Sequence, residues 1–362
     1  MNRINWIDEL KGFILILVCL GHTEINIPLM GGDLISICQA FRMSTFFFLS
    51  GVLFSTRRYS KTSSYIKSKT KVLLIPYCLL SLLFTFLDPR LYDISLIEKK
   101  SFLNSTYSYS DIHSSLDFLT MEFISIFYHG IPITAGPLWF VLTLFFVSIL
   151  FFIIHNKLKN KNKGIIIYAL LCLIIGWLCN SYNVWLPYNF STVFTSSFFF
   201  SLGYLTKKLI SHLTETTKIK LGLVIIILLP IYLYAINING VISLIVNSLG
   251  NNLFCYILST VCGVFLIISI SIYLNKFITF NILQGILRNI ARNALIILST
   301  HYWVILCCKI FLQRFTTQNY FPWLVTLIMI IITTLAIPLF RTKLYKLIGK
   351  EKISFKESMS IK

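Results

Sequence analysis

Asp8, Lys11, His22 and Glu24 place four ionisable side chains in or just before the first apolar run of the chain. Charge inside such a run is costly and needs a partner or a function. Lys11 and His22 are eleven residues apart, which is three helical turns and about 20° out of phase, so they share one face about 16 Å apart along the axis. Asp8 lies on the same face. The stripe puts a cation at one mouth and an imidazole past the midplane, and histidine is the side chain best suited to proton transfer near neutral pH. Taken singly, Lys11 also reads as an interface anchor and His22 as an interhelical hydrogen-bond partner. Glu24 points nearly the opposite way from His22 on an ideal helix. It could orient the imidazole only if the helix unwinds near Asn26 and Pro28.

Arg42 lies about 7 Å below the outer edge of the second run, a depth similar to that of His22 on the helix before it. A cation buried there implies an anionic partner or a developing anion, unless it snorkels outward. His301 falls near the middle of a late run, where packing and functional readings are balanced. Ser50 and Gly51 suit close helix packing.

The elements that must position these residues follow from composition. The chain has 362 residues, 56% of them hydrophobic and 12% charged, with a mean hydropathy of +0.80, against about 25% charged in soluble domains. Apolar runs near the roughly 20 residues needed to cross a bilayer cover 10–28, 37–55, 72–87, 137–155, 164–179, 190–205, 221–238, 253–274, 294–311 and 321–340. Continuous runs of this length have the wrong period for a closed β-barrel. The expected fold class is therefore all-α, a polytopic integral membrane protein with about ten transmembrane helices. The first run lacks a small-residue cleavage site and reads as a retained span, not a signal sequence.

A net charge of +19 could suggest a nucleic-acid partner, but its placement points to the bilayer. Most lysines and arginines lie before the first run, after the second, fourth, sixth and eighth, and in the tail. The alternate loops hold few. By the positive-inside rule both termini are expected in the cytoplasm, with an even number of spans. The domain reading is a transmembrane unit over 1–345, with an outer loop at about 88–136, and a basic cytoplasmic tail over 346–362.

All nine cysteines lie within apolar runs, where depth and an odd count argue against a disulfide framework. They read as small core residues. No spacing of Cys, His and acid residues suggests a metal site, and no metal is expected. In the outer loop, Phe118, Leu119, Phe123, Ile124 and Phe127 recur with helical periodicity among acids, which predicts an interfacial helix over 116–128 that could cover the mouth of a site.

Several motifs now combine. Asp8-Glu9-Leu10-Lys11-Gly12, with Gly21-His22-Thr23 following, resembles the start of the acyltransferase-3 family, with its Asp-x-x-(Lys/Arg)-Gly and basic-x10-His patterns. Phe46-Phe47-Phe48-Leu49-Ser50-Gly51 is similar to that family's second-helix motif. Leu73-Leu74-Ile75-Pro76-Tyr77 and Gly136-Pro137-Leu138-Trp139-Phe140-Val141 are similar to its third- and fourth-helix entries, and Asn293 through Ser299 to His301 to its late helix. The nearest likeness is to the fucose-4-O-acetylase-like branch of polysaccharide O-acetyltransferases. That branch often has His-Met-Pro before the Phe run, where this chain has Arg42-Met43-Ser44.

The resemblance implies an acyl-CoA-dependent O-acetyltransferase of the bacterial cytoplasmic membrane. Acetyl-CoA would be the co-substrate, and a sugar hydroxyl of a cell-surface polysaccharide or lipid-linked glycan the acceptor. On that basis His22 would be the general base with Glu24 as orienter, and Arg42 or the Trp139 N–H would stabilise the oxyanion. Lys11, Arg57 and Arg58 would hold the donor phosphates, with Asp8 and His301 in support. Two other classes remain. A glycan or lipid flippase should show internal repeats or paired broken helices, and no clear halves are found. A glycan polymerase fits the acidic outer loop but has no need of a Lys-to-His stripe.

Overall fold

In the computed structural model the described residues are 4–23, 28–29, 32–57, 59, 61–93, 114–133, 135–159, 161–278, 280–313 and 321–352. The chain is an all-α polytopic membrane protein. It opens with α1 (Asn5–Gly21), a ribbon of β1 (Pro28–Leu29) with β2 (Gly32–Asp33), and α2 (Leu34–Val52). Asp33 caps α2, its carboxylate accepting from the Ile35 amide at 3.5 Å.

Then come α3 (Thr62–Lys69), α4 (Ile75–Asp93), α5 (Ser115–Ile124), α6 (Trp139–Lys157), α7 (Asn162–Ser181) and α8 (Phe190–Leu205). The second half holds α9 (Lys207–Glu215), α10 (Lys218–Asn239), α11 (Leu253–Phe277), α12 (Asn281–Arg292), α13 (Ala294–Gln313) and α14 (Phe321–Thr342).

Each of the ten apolar runs falls on a helix. Among the described residues, 7 helical segments are long and apolar enough to cross a membrane. The helices α1, with 17 residues, and α8, with 16, are shorter, as is the apolar stretch Ala294–Ile305 of α13. The first apolar run extends to residue 28, and α1 stops at Gly21, earlier than the unwinding near Asn26 and Pro28 left open by the sequence. There the Thr23 hydroxyl donates to Leu20 O at 2.7 Å, satisfying a terminal carbonyl in place of another helical turn. The third run is longer than expected, since α3 continues through a π-helical turn at Thr70–Leu74 into α4.

At the centre, α2 packs against α8 and α11. A Cβ on Gly51 would strike Phe200 O, and one on Gly203 would strike Phe48 O. The two glycines thus let α2 and α8 touch backbone to backbone, the close-packing role expected of Gly51.

Two amphipathic helices escaped the sequence reading, which took 207–220 and 276–292 as basic loops. One of them, α12, lies along the first half of α1, where a Cβ on Gly12 would meet Leu287 O. Its Arg288 forms an ion pair at 2.8 Å with Glu9, which is only 5% exposed. The Asn275 amide donates to the other Glu9 oxygen at 2.8 Å.

The helix expected over 116–128 is present as α5, which starts at a reciprocal Ser114/Asp117 capping box and continues through a π turn at Ser125–His129 to Gly130 in the left-handed region. One of its acids is buried. Glu122 is fully buried, and the Ile133 amide donates to its carboxylate oxygens at 3.1 Å. Burial pushes the Glu122 carboxyl up to about 8. The hydroxyl of Tyr77 on α4 ties the same segment down by donating to Ile126 O at 2.9 Å. The nine cysteines are free thiols. Most are buried, but Cys307 is exposed, so the reading of all of them as core residues does not hold for it.

Candidate active site

His22 is the first residue past α1, at its C-cap, with αR backbone angles that keep it close to the helical path. It lies on the stripe's far end from Lys11, half-buried. Its ring centroid stands 5.2 Å from that of His301, tilted 50°, and 5.8 Å from that of Tyr302, edge-on. Next to it, Thr23 meets Thr326 of α14, hydroxyl to hydroxyl at 3.3 Å. Residues from α1, α13 and α14 therefore converge on one point. Among the described residues neither ring nitrogen of His22 has a hydrogen-bond partner.

Arg42 approaches from α2. Its Nη1 donates to Leu17 O at 2.9 Å, and the guanidinium lies directly against Gly21, where any larger residue would displace it. This arrangement replaces the outward snorkel that sequence alone left open. His301 is fully buried, with Nδ1 2.8 Å from Ile297 O.

The fourth-helix motif joins the same region. Gly136–Leu138 form a 3-10 turn that packs against α13, and Trp139 begins α6 with 5% of its surface exposed. Phe140 lies 5.3 Å from Phe46 and 5.0 Å from Phe47, ring to ring. The Phe run of α2 and the Gly-Pro-Leu-Trp-Phe segment thus meet through their aromatic side chains, a contact worth more than area burial alone.

At the opposite end of α1, Asp8 lines a cavity of about 630 Å³ together with Trp6, Val52, Leu53, Ser211 and Lys207. Lys207 also donates to Phe54 O at 3.4 Å. Lys11 is half-buried and outside that lining, and Arg57 is exposed, four residues beyond Leu53. The sequence reading assigned the donor end to Lys11, Arg57 and Arg58. It counted Lys207, the cation that lines the cavity, only among the loop charges, and it missed Tyr302 and the Glu9–Arg288 pair. Glu24 and Arg58 lie outside the described residues.

Helices crossing a bilayer around two neighbouring imidazoles and a clamped guanidinium define a polytopic membrane protein with polar chemistry inside its bundle. The acyltransferase-3 family, described as an acyltransferase domain, matches residues 4–341, and the chain belongs to that family. No curated protein and no solved structure matches the chain. The protein is a membrane acyltransferase.

Proposed function

We propose that this acyltransferase moves an acetyl group from cytoplasmic acetyl-CoA to a sugar hydroxyl of a cell-surface or lipid-linked polysaccharide, as in the fucose-4-O-acetylase-like branch. The observation that carries the reading is the unengaged imidazole of His22, beside the His301 ring and one residue on from Gly21, against which the Arg42 guanidinium lies. His22 takes the proton of the acceptor hydroxyl, whose oxygen attacks the thioester carbonyl. The C–S bond then breaks, and the proton returns to the departing thiolate to give free CoA.

Arg42 has one guanidinium nitrogen on Leu17 O, and its charge balances the oxyanion of the tetrahedral intermediate, with the Trp139 N–H as a second donor to it. The cavity beside Asp8 and Lys207 opens where the basic loops cluster, and it supports entry of the donor from that end. Its phosphates meet Lys207, and Lys11, Arg57 and Arg58 are the further cations proposed to hold them. Both termini are cytoplasmic and the membrane is the bacterial inner membrane, in keeping with the charge alternation.

The test is transfer of label from radioactive acetyl-CoA by the purified protein to a panel of polysaccharides and lipid-linked glycans. Label should appear as an alkali-labile O-acetyl ester on sugar. Failure to label any glycan, with intact protein, would remove the polysaccharide reading.

A further inference from the structure

His301 has the features of a residue selected for one lone pair. Its Nδ1 lies 2.8 Å from Ile297 O, and a carbonyl can only accept, so Nδ1 carries the proton. In a neutral imidazole the acceptor is then Nε2. That atom is fully buried and has no hydrogen-bond partner, an arrangement that native interiors rarely tolerate without a use for the group. A leucine would fill the same space without stranding an acceptor.

The ring beside it is that of His22, whose own nitrogens are unengaged among the described residues. With ring bonds of about 1.33 Å, each nitrogen lies about 1.1 Å from its ring centroid. Two nitrogens turned toward each other across 5.2 Å between centroids would stand about 3 Å apart, hydrogen-bond distance. The terminal torsion of histidine is broad, so rotation of the His22 ring brings one of its nitrogens to the His301 side without moving either helix.

We propose that His301 is the positioning residue of His22: its Nε2 accepts the His22 ring N–H and so fixes the tautomer whose other nitrogen faces the acceptor hydroxyl. His301 keeps throughout the proton that it began with. It shares the positive charge while His22 holds the hydroxyl proton, before that proton passes to the leaving thiolate. The hydrogen bond needs the His22 ring to turn but no substrate, while its catalytic use rests on the acyl-transfer reading above.

The test uses the full chain in lipid nanodiscs with 15N-labelled histidine, as wild type, His301→Leu and His301→Gln. Ring-nitrogen shifts should give one defined His22 tautomer in wild type and a mixture in His301→Leu, with no substrate present. In transfer assays His301→Leu should lose about 10- to 100-fold in kcat with the KM for acetyl-CoA within about twofold. Glutamine, which retains an acceptor, should recover much of the loss. An unchanged His22 tautomer in His301→Leu overturns the proposal, as does a glutamine variant that folds yet is as slow as leucine. If His301→Leu does not fold, a wild-type Nε2 shift typical of a free lone pair overturns it equally. If the tautomer responds but wild type acetylates nothing, the acyl-transfer reading fails and the hydrogen bond stands.

Discussion

His22 owes its position to the early end of α1. One further helical turn would have committed its neighbourhood to backbone bonds, whereas the stop at Gly21 leaves the imidazole beside α13 and α14. His22→Ala removes a proton acceptor and little packing. O-acetylation should fall at least about 100-fold, the usual size of general-base catalysis, while immunoblots of the membrane fraction show normal abundance. Arg42→Ala should mainly reduce kcat and leave the acetyl-CoA KM nearly unchanged in steady-state assays, because its charge is needed as the oxyanion develops. A parallel rise in KM would move Arg42 to the donor site. Of these residues, His22, Arg42 and His301 were legible from the cost of burying polar side chains in apolar runs. That His301 sits beside His22 was not, because a separation of 279 positions and the packing of α13 against α1 decide it.

At the scale of elements, the long apolar helices were legible from length alone, and α5 from the period of its phenylalanines. The amphipathic α12 was not, because its apolar residues are too sparse for a span and its arginines match a topology signal. Its alternation of Ile282, Leu283, Ile286, Leu287 and Ile290 with Arg288 and Arg292 carried the missed information. Through Arg288 this helix neutralises the buried Glu9. Arg288→Met strands that carboxylate and should cost about 3–5 kcal/mol, read as a lower unfolding temperature in detergent. Adding Glu9→Gln should restore most of the loss. The outer helix responds to pH through Glu122, raised from 4.5 to about 8 by burial. The folded state binds the extra proton, so this stabilisation is complete below the lower value and is lost as pH rises through the upper one. Hydrogen exchange in 115–129 should therefore quicken between pH 6 and about 9 beyond the intrinsic base-catalysed rise, and Glu122→Gln should remove that excess.

For the whole molecule, the basic segments gather at one end of the bundle. The segment after α14 returns there, with Ile348 buried, Gly349 against Lys71 and Lys350 donating to Arg292 O. Introduced cysteines in 61–71 and 343–350 should label with a membrane-impermeant reagent from the cytoplasmic side alone, and those in 114–130 from the outside alone. Labelling of all three from one side would remove the proposed topology. The same architecture sets a timetable for synthesis. Glu9 is made almost first and its partner Arg288 comes 279 residues later. At about 5–20 residues per second the carboxylate waits roughly 14–56 s for its counter-ion. During that interval α1 carries an unmatched charge too costly to hold deep in hydrocarbon. On the proposed topology the first turns of the nascent helix should therefore stay near the cytoplasmic surface or against the insertion machinery until α12 has emerged. Chains that stop short of residue 288 should be cleared by membrane proteases, although most of their spans are already made.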